Sequence, residues 1–64
     1  MKPYQLRVVI EKAKLDYKIA LLTEFIDSVP FDRIRHDEQG RMIAQFDVME
    51  KYSEILKDRI INFA

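Results

Sequence analysis

Two long helical stretches, Tyr4 to Ile26 and Arg41 to Phe63, carry apolar residues on more faces than one partner helix can cover. Along the first, Val8, Leu15, Ile19, Leu22 and Ile26 fall seven, four, three and four residues apart, the spacing of one helix stripe. Val9, Ile10, Ala13, Tyr17, Ala20, Leu21 and Phe25 spread round its sides. A two-helix hairpin buries about one face of each helix, so the surplus calls for a second copy of the chain or for another partner.

Chain length sharpens that demand. A domain of 64 residues buries only about 60% of its unfolded surface, and chains of this size need a staple, a metal, oligomerisation or very good helix packing. The chain has no cysteine, which excludes disulfides and thiolate metal sites. Its one histidine, His36, builds no zinc site without several well-placed carboxylates. Helix packing and self-association remain as the staple, and no cofactor is expected.

Pro3 suits the first turn of a helix, where its missing N–H costs nothing. Asp27-Ser28-Val29-Pro30 is the first interruption, because Pro30 disfavours helix at Val29. Helix one is therefore expected over about residues 3–27, about 36 Å long. A connection follows at 28–37, in which Phe31 and Ile34 are spaced for one short helical turn. Asp37 and Glu38 favour a helix N-terminus, and Gly40 is placed within the first turn.

Helix two, about 38–63, runs through Met42, Phe46, Met49, Leu56, Ile60 and Phe63, with Ser53 where another apolar residue would complete the stripe. The greasy end, Ile60 to Ala64, is expected to pack. A short connection makes the helices antiparallel neighbours. The fold expected is all-α: one antiparallel two-helix hairpin, 1–64, with a short helical turn in the connection, assembling into a helical homo-oligomer. In that register Ile26 lies near Met42, Leu22 near Phe46, Ile19 near Met49 and Leu15 near Ser53.

Lys12 breaks the stripe of helix one as Ser53 breaks that of helix two. One reading has its stem covering the core while the ammonium reaches Asp16, four residues on. The other makes Lys12 an anchor for phosphate or carboxylate, falling close to Tyr52, Leu56 and Arg59. Arg59 and Tyr52, seven apart, share a helix face, and an arginine fork suits phosphate. Tyr4 and Arg7 lie beside the C-terminal end of helix two. Candidate ligand-binding residues are thus Tyr4, Arg7, Lys12, Tyr52 and Arg59, with Tyr4 and Tyr52 placed to stack on a base.

Other chemistry finds little footing. Lys plus Arg balance Asp plus Glu at eleven each, so there is no overall attraction to nucleic acid. Helix two, counted with Asp37 just before it, dilutes its basic residues with six acids, and DNA or RNA is not an expected partner. No apolar run approaches the roughly 20 residues of a membrane span, and the N-terminus has no signal-peptide h-region. Catalysis has no visible basis: no phosphate-cradling glycine loop exists, and the paired acids sit on solvated helix faces. His36 reads as a polar loop residue or cap.

One resemblance adds to this. Lys2-Pro3-Tyr4-Gln5, Arg7-Val8-Val9, Glu11-Lys12 and Leu15-Asp16, followed by Glu38-Gln39-Gly40-Arg41, Met49-Glu50-Lys51-Tyr52-Ser53, Leu56 and Arg59-Ile60, form an ordered pattern. It resembles a family of very short tailed-phage proteins named after a crAssphage gene product, from about residue 2 to residue 63. The resemblance implies an accessory protein acting in the cytoplasm of an infected bacterium. By analogy of form with small oligomeric phage sponges, the function expected is sequestration of a host nucleotide immune signal, a cyclic nucleotide or ADP-ribose derivative, without catalysis. The alternative is an oligomeric helical module that binds a host or phage protein.

Overall fold

A computed structural model describes residues 1–63. Three helices follow one another: α1 (Pro3–Ile26), α2 (Val29–Asp32) and α3 (His36–Ile61). All regular structure among the described residues is helical. α1 and α3 lie alongside each other as an antiparallel pair, giving a rod of 46 × 15 × 13 Å.

Pro3 opens α1, and the Lys2 backbone N–H donates to Gln5 Oε1 at 2.9 Å, satisfying an end that helix geometry leaves unpaired. The helix stops at Ile26. Ser28 is extended, and its hydroxyl donates to the Phe25 carbonyl. The expected turn in the connection is α2, which begins at Val29 with Pro30 as its second residue. Val29 is thus helical despite the bias against helix before proline, and Pro30, in the first turn, loses nothing by lacking an N–H. Phe31 is buried and meets Phe25 edge-on, with centroids 6.2 Å apart, so the loop end is dry and aromatic.

α3 starts two residues before the expected position. Arg35 is extended, Asp37 and Glu38 occupy the first turn, and Gln39 Nε2 donates to the carbonyls of Phe31 and Ile34. That one amide ties α3 back to the connection. Gly40 consequently sits one turn into α3 rather than at its start, and a Cβ there meets nothing within 4 Å. At the other end the helix closes at Ile61, and the Asn62 side chain donates to the Asp58 carbonyl. Ile60 and Phe63 pack as expected, whereas Ile61 is exposed and Ala64 lies outside the described residues.

The core is thin. Val8, Leu15 and Leu56 are buried together, with Ile19, Met49, Ile60 and Phe63 partly buried against them. Leu56 alone is fully enclosed among the described residues. Large apolar side chains stay exposed on both long helices, among them Leu6, Ile10, Tyr17 and Leu21 on α1 and Val48, Tyr52 and Ile55 on α3.

Candidate functional site: an open basic flank

The hairpin has two long flanks, one on each side of the line joining α1 to α3. Successive residues of a helix advance by about 100°, so neighbours in sequence are sent to different flanks. On α1, Lys12 and Asp16 fall to one side of the buried Val8–Leu15 stripe, whereas Arg7, Glu11 and Lys18 fall to the other. On α3, Ser53 and Tyr52 straddle the line through Met49 and Leu56 in the same way.

The first flank is closed by a polar cluster. Lys12 Nζ donates to Asp16 Oδ2 at 2.8 Å and to Ser53 Oγ at 3.0 Å. The Ser53 hydroxyl donates in turn to Asp16 Oδ1 at 2.6 Å. The two interruptions of the apolar stripes therefore answer each other across the helix interface. Ser53 is buried, and its hydroxyl both accepts and donates, so burying it leaves no unmet polar group. The hydrogen bond from Lys12, and then that from Ser53, hold the Asp16 carboxyl below its ordinary range.

The opposite flank is open. Tyr52 and Arg59 are exposed there on α3, and Arg7 and Lys18 are exposed on α1. Tyr4 stands near the same end, its ring edge-on to Phe63 with centroids 6.1 Å apart. The ion pairs among the described residues are Lys12–Asp16, Arg35–Asp37, Arg41–Asp37 and Arg41–Glu38. Among the described residues, Arg7, Lys14, Lys18 and Arg59 therefore have no carboxylate partner, and Glu11 is the acid on that side of α1. On α3 the flank from Gln45 through Val48, Tyr52 and Ile55 to Arg59 carries no carboxylate, while Asp47, Glu50 and Glu54 turn elsewhere and Arg41, nearer the loop end, is neutralised by Asp37 and Glu38. A net charge of zero thus conceals a segregated surface.

Of the five candidate ligand-binding residues, the structure gathers Tyr4, Arg7, Tyr52 and Arg59 along the open flank. Lys12 lies on the closed one, occupied by Asp16 and Ser53. Arg59 also sits in the last turn of α3, where a cation complements the helix dipole. A hollow lies elsewhere, on the outward side of α1: a shallow, open depression of about 520 Å³ lined by Ala13, Lys14, Tyr17, Lys18 and Leu21. A second, of about 340 Å³, lies near the loop end between Thr23, Ile26, Asp27, Ile43, Phe46 and Asp47, and its two acids disfavour an anion. Lys14, Tyr17 and Lys18 were not among the sequence candidates. The signal was present as two lysines at i and i+4 beside a tyrosine, on a side of the helix that the hairpin leaves uncovered.

No helix is long and apolar enough to cross a membrane among the described residues. Comparison with known proteins adds what geometry does not. The chain is 38% identical over 63 residues to an uncharacterized 7.5 kDa protein from the denB–rIIB intergenic region of Enterobacteria phage T4, covering 98% of each chain. No solved structure matches it. A relative of nearly equal length supports the reading of a short phage protein. Residues 2–62 match the family model Sequestin, and the chain belongs to the Sequestin family.

Proposed function

We propose that this protein sequesters a host nucleotide immune signal, a cyclic nucleotide or an ADP-ribose derivative, as a homo-oligomeric sponge in the cytoplasm of the infected bacterium. The observation that carries this reading is the open flank of a Sequestin-family chain, where exposed tyrosines stand among cations that lack carboxylate partners. Guanidinium forks at Arg7 and Arg59 suit phosphate oxygens. Tyr52, and Tyr4 propped against Phe63, offer flat surfaces to a base. Capture is stoichiometric and nothing turns over, so no general base or nucleophile is required.

Isothermal titration of the native oligomer against cyclic dinucleotides and linear and cyclic ADP-ribose derivatives tests the proposal. One of these is expected to bind with a saturable, stoichiometric heat, and Arg59→Glu is expected to abolish it. Silence from the whole panel, with protein shown to be folded, overturns the reading. The exposed apolar residues of both helices favour the second reading, an oligomeric module for a host or phage protein. A stoichiometric protein recovered from infected cells, with no nucleotide bound, decides for it.

A further inference from the structure

We propose that Glu11 reads the sugar of the sequestered nucleotide: its carboxylate accepts a hydrogen bond from a ribose 2′-hydroxyl and makes the open flank selective for ribonucleotides over deoxyribonucleotides. The proposal rests on the sequestration reading and gives a role to the carboxylate that stands in the middle of a basic flank. Glu11 is exposed, and among the described residues it is the one acid that α1 sends to that side. It lies four residues after Arg7 and three before Lys14, spacings at which opposite charges pair on a helix. The chain uses those spacings elsewhere, joining Lys12 to Asp16 and Arg41 to both Asp37 and Glu38. Among the described residues Glu11 enters no ion pair, so no cation of the fold engages it.

The order of groups along the flank puts Glu11 where a sugar belongs. Tyr4 meets Phe63, and Lys12 and Asp16 both reach Ser53, which fixes the heights of α1 against α3. By that register Arg59 stands about level with Val8, beside Arg7, and Tyr52 about level with Leu15. Glu11 lies between these heights, three residues past Val8 and four before Leu15, or about 5 Å from each along the rod. A nucleotide carries its groups in the order phosphate, sugar, base. With its phosphate between Arg7 and Arg59 and its base on Tyr52, its sugar falls over Glu11. Ile55, exposed on α3 and about level with Lys12, gives the carbon side of the sugar an apolar wall.

A carboxylate beside a phosphate site weakens phosphate binding by like-charge repulsion. It accepts hydrogen bonds and donates none, so the ligand must bring the proton. Sugar hydroxyls do so, and an acidic side chain on a ribose 2′-hydroxyl is the pairing that dinucleotide-binding folds use. Base amino groups also donate, but the base lies over Tyr52, nearly one turn away. A ligand with the 2′-hydroxyl is therefore held in spite of the repulsion, whereas one without it meets the repulsion alone. The same carboxylate thus attracts one class and turns away the other.

Calorimetry with cyclic di-AMP and its 2′-deoxy counterpart tests this on the native protein, with ADP-ribose and its 2′-deoxyadenosine form as a second pair. Wild type is expected to bind the ribo form about tenfold more tightly, the worth of one charge-assisted hydrogen bond. Glu11→Ala, checked for helix content and native mass, is expected to bring that ratio close to one. The repulsion it relieves acts on both probes alike and cancels in the ratio. Glu11→Gln, which keeps an acceptor without the charge, is expected to retain part of the preference. A ratio that Glu11→Ala leaves unchanged while both affinities rise shows a carboxylate that only repels, and it overturns the proposal. Wild type that binds the two forms equally overturns it too, and sequestration stands in both cases. Where only another member of the panel binds, that member and its 2′-deoxy form take the same test. If wild type binds nothing in the panel, sequestration fails, and the role of Glu11 fails with it.

Discussion

The two flanks of the hairpin use similar residues to opposite ends. On one, Lys12, Asp16 and Ser53 satisfy each other completely, and the polar groups serve to join α1 to α3. On the other, Arg7, Lys18, Tyr52 and Arg59 stand exposed, with no carboxylate among the described residues bound to them. A lysine that already has its anion has little left to offer a phosphate; an arginine without one has its full set of donors. Partnering, more than residue type, separates the side that holds the fold from the side proposed to hold a ligand.

The largest effect that can break this contrast is on binding. Arg7→Glu combined with Arg59→Glu replaces attraction with repulsion on the open flank. A change on the order of 3 kcal/mol in charge-assisted contacts corresponds to an affinity loss of about 100-fold. Titration calorimetry is expected to show that loss with a much smaller loss of stability, since among the described residues neither arginine has an ion-pair partner and only the dipole contact of Arg59 is given up. Equal losses of affinity and stability would mean that the open flank is structural after all.

Ser53→Ala is the reciprocal change. It removes a buried hydroxyl that accepts from Lys12 and donates to Asp16, at a cost of about 1 kcal/mol. For a chain of this size that lowers the melting temperature by about 5 °C, measured by circular dichroism at fixed protein concentration. Ligand affinity is expected to stay unchanged. A variant that keeps its stability and loses its ligand would move the site to the closed flank, with Lys12 as its anchor.

How far these flanks were legible beforehand depends on which coordinate is asked for. Height along the rod was readable: the stripes at Val8, Leu15 and Ile19 and at Met49, Leu56 and Ile60 fix the helices, and Leu15 was expected beside Ser53. The bond from Lys12 to Asp16 was likewise one of two local readings. Rotation was not readable by the same reasoning. Placing Lys12 close to Tyr52 and Arg59 uses their heights alone, whereas Tyr52 and Ser53 differ by about 100° and leave the core on opposite sides. The two gaps in the apolar stripes were each visible, but that they fill one another is a property of the docked pair. Gln39, which reaches two carbonyls of the connection, had no local pattern to announce it.

Acid sharpens the contrast further. The hydrogen bonds from Lys12 and Ser53 depress the Asp16 pKa below its ordinary value of 3.8 in the folded chain. Its contribution is therefore fully present above that value and is lost as pH falls through the depressed one. Asp16 is half-exposed, so solvent screening keeps the effect small. In urea titrations between pH 2 and 6, the gap in stability between wild type and Asp16→Asn is expected to be widest at the upper end and to close as pH falls through the depressed value. A gap that does not change with pH would show that the carboxylate charge plays no part in closing the flank.

Gly40→Ala supplies the smallest change and a control that touches neither flank. Gly40 lies one turn into α3 with ordinary helical geometry, and a Cβ there meets no atom within 4 Å. Restricting the unfolded chain without adding a clash stabilises by about 0.5 kcal/mol. The melting temperature is expected to rise by about 2–3 °C, with ligand affinity and oligomeric mass unchanged. Because the residue sits on the side of α3 that also carries Asp47 and Lys51, a loss of oligomer in this variant would place an intersubunit contact on that side of α3.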